Sequence, residues 1–241
     1  MRQILESNPA AVFLNPNSPP ATGGLAGLVH ELAQMPLAGR FAYIYDYRVR
    51  GLLFVSAGIE QLLGAAPPTA AQTVEWLYER LHPDDASAVA RASVLVNTFI
   101  RERPADEDFG PFLMAIDYRL RHAAGHYVRV LRHNTILERD HTGAVITTAA
   151  IYTDITTHKN TTDVRLHVNW PAFAAFARQF ASALMHLSRR EQQVYELVLD
   201  GLTSSQIAQQ LGLSENTVKT HRRNVLAKLP ARGWLSLLAY L

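Results

Sequence analysis

Apolar positions along this chain change period once, and the change divides the molecule. Residues 41–47 and 51–56 are aromatic and β-branched and predict two strands around a turn at 48–50. Residues 59–63 and 73–81 have helical spacing. The phrase His82-Pro83-Asp84-Asp85 then breaks the chain and opens a helix over 86–96, because Pro suits a first helical turn and the two carboxylates complement its positive end. After Gly110 come three strand-like runs, 112–121, 126–139 and 144–155. Alternation is clearest where Ile116, Tyr118 and Leu120 interleave with Asp117, Arg119 and Arg121. The connections at 122–125 and 140–143 each end in the Gly that a tight hairpin favours. Two strands, a helical middle and three hairpin-linked strands predict a five-stranded antiparallel sheet with helices on one face.

Either side of this block the pattern differs. Residues 1–23 are rich in Pro, Asn and Gly and read as an arm with little regular structure, followed by a short amphipathic helix at 24–36. Residues 159–186 begin as a polar linker and end in a helix on which Phe173, Phe176 and Phe180 recur at helical spacing. From Leu187 onward, helix starts are explicit. Ser188 with Glu191, and Thr203 with Gln206, fit capping boxes, and Ser214 opens a third helix with Glu215 well placed for its dipole. Gly201 and Gly212 punctuate the first two helices. Each helix has one apolar stripe: Val194, Leu197 and Val198; Ile207, Ala208 and Leu211; Val218, Val225 and Leu229. The fold class is therefore α+β, with an all-α C-terminal domain of four helices. The boundaries are an arm and helix at 1–37, a sheet domain at 38–158, a linker at 159–186 and the helical domain at 187–241.

Composition narrows the chemistry. The chain is 241 residues long, 48% hydrophobic and 18% charged, which suits folded domains with real cores. No stretch approaches the roughly 18–20 uninterrupted apolar residues of a membrane helix. Without a basic, apolar leader at the N-terminus, the expected location is the cytoplasm. Cys is absent, which excludes disulfides, Cys-ligated zinc, thiol catalysis and chromophores linked through a thioether. Net charge is only +2, yet from Leu187 onward seven Lys and Arg face four acids, while the remainder is close to neutral. Concentrated positive charge suits a segment that meets phosphate.

The third helix gives that charge a direction. At 100° per residue, Val218, Val225 and Leu229 fall within about 40° of one another. Asn216, Lys219, Thr220, Arg223 and Ala227 lie opposite, a strip of donors beside a small residue that suits a major groove. A four-residue turn at 212–215 links it to the second helix, as a helix-turn-helix requires. The stretch LSRREQQVYELVLDGLTSSQIAQQLGLSENTVKTHRRNVLAKL resembles the LuxR/GerE-type helix-turn-helix throughout, through Ser188, Arg190-Glu191, Gly201, Ile207-Ala208, Leu211, Ser214, Thr217-Val218-Lys219, His221 and Lys228-Leu229. The resemblance implies that Lys219, Thr220 and Arg223 face bases. By the same resemblance Thr217, His221 and the hydroxyls near Ser204 hold phosphates or orient the helix, and Ser214, Asn216 and Arg222, the last reaching phosphate rather than packing, complete the expected DNA-binding set. Arg222 and Pro230 depart from the family pattern, standing where an aliphatic residue and a Gly are usual. A fourth helix at 233–241 carries Trp234, Leu235, Leu237, Leu238 and Leu241 around most of its circumference, more than a small core buries. By the resemblance this helix makes a homodimer on double-stranded DNA, with half-sites about one turn apart. A transcriptional regulator of this kind also has RNA polymerase as an expected partner.

The sheet domain resembles the PAS family through LHPDD at 81–85 and DYRLRHAAGHYVRV with HNTILERDHTGAVITTAAIYTDIT over 117–156. Tyr43, Tyr45, Phe54, Trp76, Leu113 and Tyr152 are the expected pocket walls, with a small organic ligand as the expected occupant. The helix after LHPDD has no His, so haem is not expected, and no Asn-Cys-Arg run is present for a flavin adduct. His122, His126 and His133 read as solvated turn and strand residues rather than metal ligands. No nucleophile–base pair, metal spacing or phosphate-cradling Gly loop appears, so the chain is not expected to be an enzyme. Two alternatives stay open: an acyl-homoserine-lactone receptor on the same helix-turn-helix, and a PAS protein-interaction module without ligand.

Overall fold

The computed structural model describes residues 39–66, 73–103, 113–200 and 202–228, together with Gly27 and the backbone of Ala11–Phe13. It comprises two compact units, Met1–Asp85 with Ala105–Asn169 and Ala86–Pro104 with Trp170–Leu241. The first unit thus reaches past the boundary expected at 158, and most of the long middle helix goes with the second.

The first unit is built on β1 (Ala11–Phe13), β2 (Arg40–Asp46), β3 (Gly51–Ser56), β4 (Leu113–Arg121), β5 (Tyr127–Arg139), β6 (Val145–Asp154) and β7 (Leu166–Val168). They form one antiparallel sheet in the order β1-β3-β2-β6-β5-β4-β7. The five strands expected from alternation are its middle five. The two extra strands are three-residue edges that fall in stretches read as arm and linker. A run of three shows no alternation, so only the partner strand reveals it. Gly125 and Gly143 close the two hairpins at φ 94° and 85°, a region that L side chains rarely adopt. Helices α1 (Gly58–Leu63) and α2 (Thr73–Tyr78) follow β3.

Register sorts the side chains. Phe41 pairs with Tyr152, Tyr152 with Arg132, Arg132 with Ile116, and Val130 with Tyr118. Since side chains alternate along a strand, Phe41, Tyr43, Tyr118, Arg132 and Tyr152 share one face. Phe54 pairs with Ile44 and so faces the other way, as does Leu113, four residues from Asp117 on β4.

Three buried carboxylates are each answered by a guanidinium. Asp46 accepts from Arg48, its Nη2 at 2.5 Å. Asp117 accepts from Arg129 Nη2 at 2.5 Å and from Lys159 Nζ at 2.7 Å, and also takes the Arg165 backbone N–H. Asp85 accepts the backbone N–H of Arg119 at 2.8 Å and its guanidinium at 2.6 Å. The sequence suggested only a helix-dipole role for Asp85. Its larger task is to fasten the start of α3 (Pro83–Arg101) to β4, beside the bridge between Leu81 and Leu120.

The second unit is helical. The Phe99 ring of α3 lies 5.3 Å from those of Phe173 and Phe176 on α4 (Phe173–Met185), so the Phe stripe has a partner within the unit. Beyond it come α5 (Arg189–Leu199), α6 (Ser204–Leu211) and α7 (Glu215–Lys228), whose inward residues Val194, Val198, Ile207, Val218 and Val225 are all buried. The expected helices at 24–36 (Gly27, which is helical, apart) and 233–241 lie outside the described residues, as does Gly201.

Candidate DNA-binding face and sensor core

The helix-turn-helix is assembled from local bonds that the sequence declares. At the start of α5, Glu191 N–H donates to Ser188 Oγ and Ser188 N–H to Glu191 Oε2 at 2.7 Å, a complete capping box. Thr203 and Gln206 repeat the arrangement on α6, with Thr203 N–H to Gln206 Oε1 at 2.8 Å. Ser214 Oγ accepts from Thr217 N–H at 3.1 Å and shares a 2.8 Å bond with the Thr217 hydroxyl, so both residues serve the start of α7.

Two longer links hold the three helices in register. Arg190 Nη2 donates to the Leu211 carbonyl at 3.1 Å, tying α5 to the end of α6. Lys228 Nζ donates to buried Glu191 at 2.6 Å, tying the end of α7 to the capping box. Glu191 is held below the ordinary glutamate pKa mainly by that Lys228 bond, which with the Ser188 bonds outweighs burial. These links explain why the run carries Arg190-Glu191 and Lys228. Their pairing is invisible in sequence, because 37 residues separate the partners in the second link.

The outer side of α7 stays open. Asn216, Lys219, Thr220, Arg223 and Ala227 are all exposed, on the side away from buried Val218 and Val225. Lys219 forms an ion pair with Glu215 one turn earlier, at 2.7 Å. Because both groups are exposed, this pair is of the weak kind that a phosphate displaces readily. Arg222 is half-buried and donates from Nη1 to Ser204 Oγ at 2.9 Å, joining α7 to the first turn of α6. Burial lowers its pKa from the ordinary arginine value. His221 is partly buried, with Nδ1 lacking a partner. Of the DNA-binding set, then, Asn216, Lys219, Thr220 and Arg223 share the open strip. Ser204, Ser214, Thr217 and Arg222 are engaged in holding the helices. The residues assigned to dimerisation, Trp234, Leu235, Leu237, Leu238 and Leu241, lie outside the described residues.

In the first unit the expected pocket residues separate. Tyr43 and Tyr152 come together, with ring centres 5.8 Å apart, and Phe41 stacks on Tyr152 at 4.3 Å. Tyr118, absent from the expected set, joins them through a 3.1 Å bond from its hydroxyl to that of Tyr152. Burial pushes the Tyr118 phenol up to about 12. Phe54 and Leu113 face the other side of the sheet. Tyr45 lies edge-on to Tyr47 at 4.9 Å, and Trp76 is covered by the guanidinium of Arg80 at 3.6 Å. The sequence did carry one unread signal: in YVRVLRHN, Arg132 occupies the inward phase set by Val128 and Val130. His122 and His126 stack on each other at 4.3 Å across their hairpin.

Residues 185–240 match the family model of bacterial regulatory proteins, luxR family, and residues 52–152 match a model of the PAS fold. Over 43 residues the chain is 51% identical to the response regulator protein TmoT of Ectopseudomonas mendocina, which covers 18% of this chain and 20% of that one. Over 57 residues it is 43% identical to the transcriptional regulatory protein FixJ of Rhizobium meliloti, covering 24% and 28%. The chain thus spans about a quarter of the length of these curated relatives. Among solved structures, the N-terminal domain of a diguanylate cyclase with PAS/PAC sensor from Marinobacter aquaeolei is similar over 49% of this chain and 96% of that one, at 23% identity and a TM-score of 0.39. The phage VqmA-DPO complex is similar over 90% and 87%, at 16% identity and a TM-score of 0.35. No described helix is long and apolar enough to cross a membrane. The chain joins a PAS fold, over residues 52–152, to a helix-turn-helix of the luxR family of bacterial regulatory proteins, over residues 185–240.

Proposed function

We propose that this protein is a sequence-specific, double-stranded-DNA-binding transcriptional regulator whose PAS unit governs dimerisation or exposure of the helix-turn-helix. The observation that carries the reading is the strip Asn216, Lys219, Thr220 and Arg223, exposed on a helix whose start is capped by Ser214 and whose other side carries buried Val218 and Val225. A rigid helix with donors on one side is what a major groove accepts. Relatives that match over 43 and 57 residues are named a response regulator protein and a transcriptional regulatory protein, which supports the same use. In this reading two copies bind half-sites about one DNA turn apart, through the apolar residues Trp234 to Leu241. Bound there, the dimer changes the access or engagement of RNA polymerase in the cytoplasm. The protein performs no chemistry on a substrate; its output is occupancy of DNA.

The test is selection of duplexes from a randomised pool by the full-length protein, followed by sequencing. The expected result is one enriched motif with two-fold symmetry. A pool that stays random after repeated rounds, with folded protein, would overturn the reading.

A further inference from the structure

Every buried carboxylate described above has a cation, but one buried cation has no carboxylate. Arg132 is 8% exposed, and no described acidic group forms an ion pair with it. Its Nε is buried without a hydrogen-bond partner. Around it stand phenols: the guanidinium carbon lies 5.6 Å from the centre of the Tyr118 ring, and Tyr152 is its direct pair on β6. Tyr43 and Phe41 pack against Tyr152 on the same face. Two residues further along that face of β5, Asn134 Oδ1 is a second buried polar atom without a partner. Turning the Asn134 amide over would present its NH2 group as a donor instead.

An unpaired buried charge is costly, and proteins normally remove one by pairing or neutralisation. Arg132 cannot neutralise itself at physiological pH, since a guanidinium keeps its proton. The phenols reduce the cost through ring faces and hydroxyl dipoles, but they supply no negative charge. An anion with two acceptor atoms on one side and an apolar body on the other would complement this arrangement. A carboxylate matches the planar guanidinium fork. Phosphate fits less well, because its second charge would face only aromatic rings.

We propose that the tyrosine-lined face of the sheet is a binding site for a small aromatic monocarboxylate, whose carboxylate pairs with Arg132 while its ring lies among Tyr43, Tyr118, Tyr152 and Phe41. The proposal rests on the sensor reading of the PAS unit and names the class of signal that unit receives. Asn134 supplies the second polar contact to the carboxylate.

The test uses the full-length protein and four probes: benzoate, phenylacetate and their neutral amides, benzamide and phenylacetamide. Calorimetry and thermal denaturation at neutral pH should show at least tenfold tighter binding of an acid than of its amide. Arg132→Met should abolish that preference and leave the unliganded melting temperature unchanged or higher, because it replaces an unpaired buried charge with an apolar side chain of similar length. Arg132→Lys, which keeps the charge and loses the fork, should retain a weakened preference. Equal binding of acids and amides, binding of none, or a lower melting temperature for unliganded Arg132→Met would each overturn the proposal. Duplex selection is independent of these probes, so failure here with a motif still enriched removes this site and leaves the DNA-binding reading standing.

Discussion

The sheet unit and the helix-turn-helix solve the burial of charge differently. In the sheet unit, Asp85 at the start of α3 and Asp117 on β4 find guanidinium partners 34 and 12 residues away. In the helical unit, the residues that end helices bond within three positions of themselves: Ser188 with Glu191, Thr203 with Gln206, Ser214 with Thr217. Arg190, Arg222 and Lys228 reach further, to Leu211, Ser204 and Glu191. Long-range ion pairs specify which strands lie together, whereas caps specify where a helix starts. The first kind is costly to break because it leaves a stranded charge; the second is cheap and modular.

That contrast ranks the expected losses. Asp117→Ala should be the most damaging, at about 3–5 kcal/mol, since it strands buried Arg129. Urea denaturation checks this, and a loss comparable to that of a cap deletion would break the contrast.

Asp85→Asn comes next, at about 1.5–3 kcal/mol near neutrality, the usual range for hydrogen bonds to a charged group. Burial opposes the Asp85 carboxylate, but the Arg119 bonds outweigh it, and its pKa lies below the ordinary value. A depressed folded pKa means the stabilisation is complete above the unfolded value of about 3.9 and is lost as pH falls through the folded pKa. The gap between wild type and Asp85→Asn should therefore be widest near neutrality and shrink in acid, and a pH-independent gap would contradict the assignment.

Glu191→Ala removes a cap and the Lys228 link together and should cost about 1–2 kcal/mol, because Lys228 is itself partly solvated. Thr203→Ala should cost about 1 kcal/mol, measured the same way. Should Thr203→Ala exceed Asp117→Ala, local caps rather than cross-strand pairs would dominate.

The same contrast decides what could be read from the sequence. Capping residues and their helices lie within a few positions of one another, so α5, α6 and α7 and the open strip on α7 were legible residue by residue. The five main strands were legible from alternation and turn glycines. Three-residue β1 and β7 were not, because a strand that short has no period. The pocket set mixed two faces: Tyr43 and Phe54 are equally aromatic, and only the β2–β3 register assigns them to opposite sides. Tyr118 and Arg132 sit on alternating phases that mark one side of their strands, but only the β4–β5–β6 register shows that this side is shared with Tyr152. The lactone-receptor alternative gives way to the PAS match over residues 52–152.

The central claim is that the open strip of α7 reads DNA. On a duplex enriched by selection, the most direct measurement is the affinity of full-length wild type, Lys219→Ala and Arg223→Ala across a salt series. Each substitution should cost about 1–3 kcal/mol, and each lost phosphate contact should flatten the salt slope by about 0.9. Wild-type affinity and slope in both variants would contradict the account.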